Sequence, residues 1–137
     1  MNQIFKLITI ILCFTSSVVK SQQLTEKDFK LLIDGKTFPD STTTIDALLK
    51  MKVVKTNFSW ISFTELAIYI DFRTNEERTH IYDGTTITLC KGNFICDEVR
   101  TLFKKLRPGN TVVIQAHSAK NKSGSRLIVQ DLILKVK

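Results

Sequence analysis

At 137 residues with a formal charge of +7, the chain is too short for two ordinary domains and long enough for one hydrophobic core. Of its 20 basic residues, Lys6 and Lys20 fall in the leading segment, which leaves 18 against 13 acidic residues, or +5, for residues 22–137. That balance is basic without being extreme; it favours contact with acidic partners and decides nothing about the fold.

The opening residues MNQIFKLITIILCFTSSVVKSQQ have a positive start, an apolar stretch from Leu7 to Phe14, and then small and polar residues. This is the pattern of a signal peptide over 1–21, with Val19 and Ser21 at the third and first positions before the cut. The stretch is too short and too often interrupted by Thr and Ser for a retained membrane helix, which needs about 20 apolar residues. Cys13 is not read as a lipidated cysteine, because Leu12 before it is not small. A periplasmic or secreted location is expected, with 22–137 as a single domain.

After a polar lead-in, Phe29–Ile33 is a short apolar run ended by Asp34-Gly35, a strand entering a turn that needs positive φ. Pro39–Thr44 is a loop or cap region, and Ile45–Met51 has the spacing of a short helical turn. From Phe58 the pattern becomes near-alternating: Phe58, Trp60, Phe63, Leu66, Ile68 and Ile70 interleave with polar or small residues, as in one long or two short strands with a buried face. Residues 73–78 read as a charged turn, and Thr85–Cys90 as a strand bounded by Asp83-Gly84 and Gly92-Asn93.

Val99, Leu102, Phe103 and Leu106 then fall at the i, i+3, i+4, i+7 spacing of one apolar helical stripe. Asp97 and Glu98 suit the amino end, Lys104, Lys105 and Arg107 the carboxyl end, and Pro108-Gly109 the stop, so the helix is placed at Asp97–Leu106. Thr111–Ala116, and Arg126–Val129 running on through Leu132–Val136, read as strands joined by the loop 120–125. Strand, turn, strand with one helix is the rhythm of a mostly β, antiparallel domain with one short helix before the last two strands.

Cys90 and Cys96 are the two cysteines outside the leader, and export would put them where disulfides persist. Extended, they would stand about 20 Å apart, so a bridge requires the chain to reverse at Lys91-Gly92-Asn93. A redox pair calls for closer spacing than this. No metal is expected, since only His80 and His117 remain to complete a zinc set and neither has paired spacing. No cofactor is expected either: there is no glycine-rich phosphate loop, no Gly-x-Ser-x-Gly, and the carboxylate pairs Glu76-Glu77 and Asp97-Glu98 are explained by a solvated turn and a helix amino end. Nothing positive supports an enzyme.

Lys104, Lys105, Arg107, Lys120, Lys122 and Arg126 would form one basic rim for a partner if the helix end and the last loop are neighbours. An exported domain whose aromatics look buried by pattern is not expected to bind nucleic acid. Phe58, Trp60 and Phe63 read first as core, with a ligand platform as the competing reading.

The segments Val99–Leu106, Arg107–Ile114, Ala119-Lys120 and Ser123–Arg126, with Ile61–Thr64 upstream, resemble the C-terminal domain of the gliding-motility protein GldM family over roughly Phe58 to Lys137. That family's pattern is a helix ending in leucine, a Pro-Gly-Asp turn, a strand, a short Gly-containing loop, an Arg and a closing strand. The chain departs from it at Asn110, where the family has an acidic residue, at Gln115–Ser118, and in the Cys90 and Cys96 pair. The resemblance implies an immunoglobulin-like β-sandwich acting as a non-enzymatic interaction or structural module of the bacterial envelope, in the setting of gliding and type IX secretion, with an envelope protein as partner. A small secreted carbohydrate- or peptide-binding protein, using Phe58, Trp60, Phe63 and Tyr69, is the alternative.

Overall fold

A computed structural model describes residues 24–38, 41–74 and 84–137. The leader 1–21, the centre of the charged turn at 75–78, His80 and Asp83 lie outside the described residues. Among the described residues, seven strands form a two-stranded and a five-stranded sheet, so the mostly β expectation holds. The strands are β1 (Leu31–Ile33), β2 (Thr42–Thr43), β3 (Val54–Thr56), β4 (Glu65–Asp71), β5 (Thr85–Lys91), β6 (Thr111–His117) and β7 (Leu132–Val136). Two short helices, α1 (Ile45–Lys50) and α2 (Asp97–Phe103), complete the frame.

The larger sheet has the order β2-β7-β6-β4-β5. β4 is antiparallel to both β5 and β6, so β5 and β6 run the same way and the connection between them, carrying α2, crosses over β4. β2 lies parallel to β7. The sheet is therefore mixed at one edge, and one helix precedes the last two strands, as expected.

Period-two alternation sends Leu66, Ile68 and Ile70 of β4, Thr88 and Cys90 of β5, Val112 and Ile114 of β6, and Leu134 and Val136 of β7 to one buried face. Val99 and Phe103 of α2, Leu48 of α1, Met51, Val54 of β3 and Leu31 and Ile33 of β1 join most of them in one hydrophobic cluster. The expected Asp34-Gly35 turn is present with φ of 49° and 78°, the paired positive values that the Asp-Gly signal supplies. Its carboxylate also accepts from the backbone N–H of Lys52 and Val53, which ties the turn to the residues entering β3.

Three local expectations are corrected. The strand expected from Phe58 begins only at Glu65; Phe58–Thr64 is instead a run of turns, in which the Ile61 N–H donates to the Phe58 carbonyl at 3.1 Å. The alternating aromatics there reflect ring packing: Phe58 and Trp60 both stack edge-on against Phe29, with centroids 5.9 and 5.7 Å away. The helix expected to Leu106 is regular only to Phe103, then tightens, with Leu106 N–H bonding back to the Phe103 carbonyl and its side chain still buried. Finally, 126–130 is not a continuous strand, because its backbone is divided between partners: Leu127 N–H donates to Ala119, and Gln130 N–H to Phe29.

Candidate functional site

Opposite the buried face, the same alternation sends a second set of side chains outward, exposed on β5 and β7 and, except at His117, partly buried to buried on β4 and β6 between them. The register places Ile87 beside Tyr69, Tyr69 beside Val113, and Val113 beside Ile133, so one row of four apolar side chains crosses four strands. The row's ends are open to solvent, Ile87 at 59% and Ile133 at 55% exposure. Leu89, 57% exposed, stands next to Ile87 on β5 and opposite Ala67. Polar pairs frame the row: Gln115 receives the Tyr69 hydroxyl at 3.4 Å and donates to the Asp131 carboxylate at 3.1 Å, while His117 Nδ1 lies 2.9 Å from Glu65.

At the Ile133 end the sheet opens. The β6–β7 register stops at the Ile114–Leu132 pair, although β6 continues to His117 against β4. The gap between 115–119 and 126–131 is a groove of about 560 Å³, with Gln115, His117, Arg126, Ile128, Asp131 and Ile133 on its walls. Ile128 is 63% exposed, so the apolar row continues into the groove.

The six basic residues do not form one rim. Lys104, Lys105 and Arg107 follow α2 at the Thr111 end of β6, whereas Lys120, Lys122 and Arg126 lie beyond His117 at its other end. Seven strand residues separate the groups by about 20 Å. Only the second group adjoins the groove, through Arg126. Its loop is held by Asn121, whose side-chain oxygen accepts from the Ser125 N–H and the Ser123 hydroxyl, and by the Ser62–Lys120 bridge. Away from either group, Asp28 has its pKa lowered by hydrogen bonds from the Thr25 backbone N–H and hydroxyl.

Cys90 and Cys96 are bridged, with Cα atoms 5.5 Å apart, and the reversal between them uses Gly92 at φ 75° as the spacing required. The bridge joins the end of β5 to the residue preceding α2, and the enclosed loop is clamped from outside: Asn93 accepts from Val54 N–H, and Ile95 N–H donates to Lys52. This is a structural staple. His117 ends β6, as expected of a strand-end residue. Among the described residues no group of three or more His, Cys, Asp or Glu could hold a metal, and no helix is long and apolar enough to cross a membrane.

Trp60 and Phe58 are half-buried in the cluster with Phe29. Trp60 also borders a shallow, open hollow with Asn121, Lys122 and Ser123, so one rim of the indole remains presented to solvent. The outward row escaped reading from the sequence because apolar residues alternate with Thr and Cys on β5; the alternation was legible, the face it addressed was not. Comparison of the chain with protein-family models, curated proteins and solved structures finds no match.

Proposed function

We propose that the chain is an exported, non-enzymatic protein-interaction module of the bacterial cell envelope, and that it receives its partner on the outer face of the five-stranded sheet, at the groove end. The observation that carries this reading is the apolar row, exposed at its Ile87 and Ile133 ends and continuing through Ile133 to Ile128 at the groove. Large contiguous exposed apolar patches rimmed by polar residues mark interaction sites. The Cys90–Cys96 bridge supports an oxidising compartment. Arg126 on the groove wall, with Lys120 and Lys122 in the same loop, supports a partner that brings an apolar side chain flanked by carboxylates. The likeness to the GldM C-terminal domain supports a setting in gliding or type IX secretion.

The test is affinity capture from the native envelope fraction at low and high salt, with mass spectrometry of what elutes. Wild-type chain is expected to recover a defined envelope protein; high salt and the triple variant K120E/K122E/R126E weaken recovery, because exposed charges are screened within about 10 Å at 0.1 M ionic strength. I133K is expected to abolish recovery at either salt. Salt-independent capture that tolerates I133K would sink the proposal.

A second reading, a small secreted carbohydrate or peptide binder, is favoured by the solvent-facing rim of Trp60 beside Asn121, Lys122 and Ser123. Trp60 emission separates the two: a spectrum that shifts on adding glycan or peptide supports the binder, and one that stays put supports the interaction module.

A further inference from the structure

We propose that β5 is a self-association edge, along which a second copy of this chain adds antiparallel, centred on Thr88, to make one continuous sheet across a two-fold axis. This inference rests on strand geometry at the β5 edge; the partner reading above uses the same outer face but at the groove between β6 and β7, two strands away.

The first observation is an edge that lacks the usual protection. β5 ends the order of the five-stranded sheet, and among the described residues its only strand partner is β4. Its seven residues pair with β4 without interruption, so no bulge bends it away. Thr85-Thr86-Ile87-Thr88-Leu89-Cys90-Lys91 contains no Pro or Gly, and its one charge is at the end. Monomeric proteins blunt such edges with short strands, prolines, bulges or inward charges, because an open row of N–H and C=O groups templates further pairing.

The second observation identifies the occupant, because the strand is self-complementary. In an antiparallel pair centred on Thr88, Ile87 of each copy faces Leu89 of the other, and Thr88 faces its own symmetry mate. Both exposed apolar residues of β5, at 59% and 57%, are thereby set against each other on the outer face. On the inner face the Thr88 pair meets as a Thr–Thr contact, a favourable cross-strand combination. Preserving both faces requires a shift by two residues to reach the next register, which sets Lys91 against Ile87 in one direction and Leu89 against Thr85 in the other. The Thr88-centred register alone matches all seven residues and both apolar pairs. Such an interface is isologous and closes as a dimer.

Sedimentation velocity over a concentration series, on the purified chain with its disulfide intact, tests this with I87K, I87E and L89E. Wild type is expected to pass from monomer to dimer, and each variant alone to associate at least tenfold more weakly. An equimolar mixture of I87K and L89E recovers a dimer, because the new charges face each other; a mixture of I87K and I87E does not, because each faces Leu89. A variant that failed to fold could not recover in the mixture. The proposal is overturned if wild type stays monomeric throughout, if I87K associates as well as wild type, or if both mixtures recover equally. A wild-type monomer that loses its envelope partner on I87K substitution would assign the edge to a foreign strand, and would overturn it too.

Discussion

Asn110 is fully buried and joins three parts of the chain: its side-chain oxygen accepts from the Arg107 N–H at 2.6 Å, its amide donates to the Phe72 carbonyl at 2.7 Å, and its carbonyl accepts from Val136 N–H. The donor explains why an acidic residue would not serve here, since a carboxylate can accept from Arg107 but cannot donate to Phe72. N110A is expected to lower stability by about 2–3 kcal/mol, as buried groups left without partners do, and N110D by more than N110A, because it puts a charge against a carbonyl. Urea unfolding of both variants checks the order. Arg100 has a comparable role at partly buried depth. Its two terminal nitrogens donate to Leu49 and Met51 carbonyls at 2.7 Å each, closing the carboxyl end of α1 from α2. R100A is expected to cost about 1.5–3 kcal/mol by the same measurement, with R100K recovering only part, since one ammonium cannot repeat the fork.

The parity of β5 is the decisive feature among the elements. Hydrophobicity alone would turn Ile87 and Leu89 inward, yet Thr88 and Cys90 are the buried pair and Ile87 and Leu89 face solvent. The bridge supplies a reason: Cys96 immediately precedes α2, which packs on the buried face, so Cys90 must point that way, and a period of two then sends 87 and 89 outward. Closing a loop of seven residues, both cysteines included, contributes about 2–2.5 kcal/mol in the chain-entropy model. Reduction, or the C90A/C96A pair, is expected to lower the unfolding free energy extrapolated from urea denaturation by about that amount. It should also weaken the self-association of β5, because the strand loses what holds its face.

Across the whole molecule, the two basic groups stand at opposite ends of β6, about 20 Å apart and beyond the ~10 Å screening length at 0.1 M salt. They are therefore expected to act independently. K104E/K105E/R107E should leave partner capture within twofold of wild type, K120E/K122E/R126E should reduce it, and the combined variant should equal the sum of the two effects in free energy. A capture assay in which the helix-end reversal matches the loop reversal would place the partner elsewhere.

Read from the sequence, the β content, the α2 stripe from Val99 to Leu106, the Asp34-Gly35 turn and the Cys90–Cys96 bridge were all legible, because each depends on local rules of periodicity, positive φ or chain reversal. The candidate site was not. Alternation tells which residues share a face but not which face is covered, and the covering of one face by α2, α1 and the β1–β3 pair is a long-range outcome. The aromatics at 58–63 misled for the same reason, since a ring cluster around Phe29 and a strand leave similar spacing. Local chemistry thus determined the elements and their turns; only tertiary packing decided the outward row, the groove at Arg126 and the separation of the basic groups, because each depends on residues far apart in the chain becoming neighbours, or failing to.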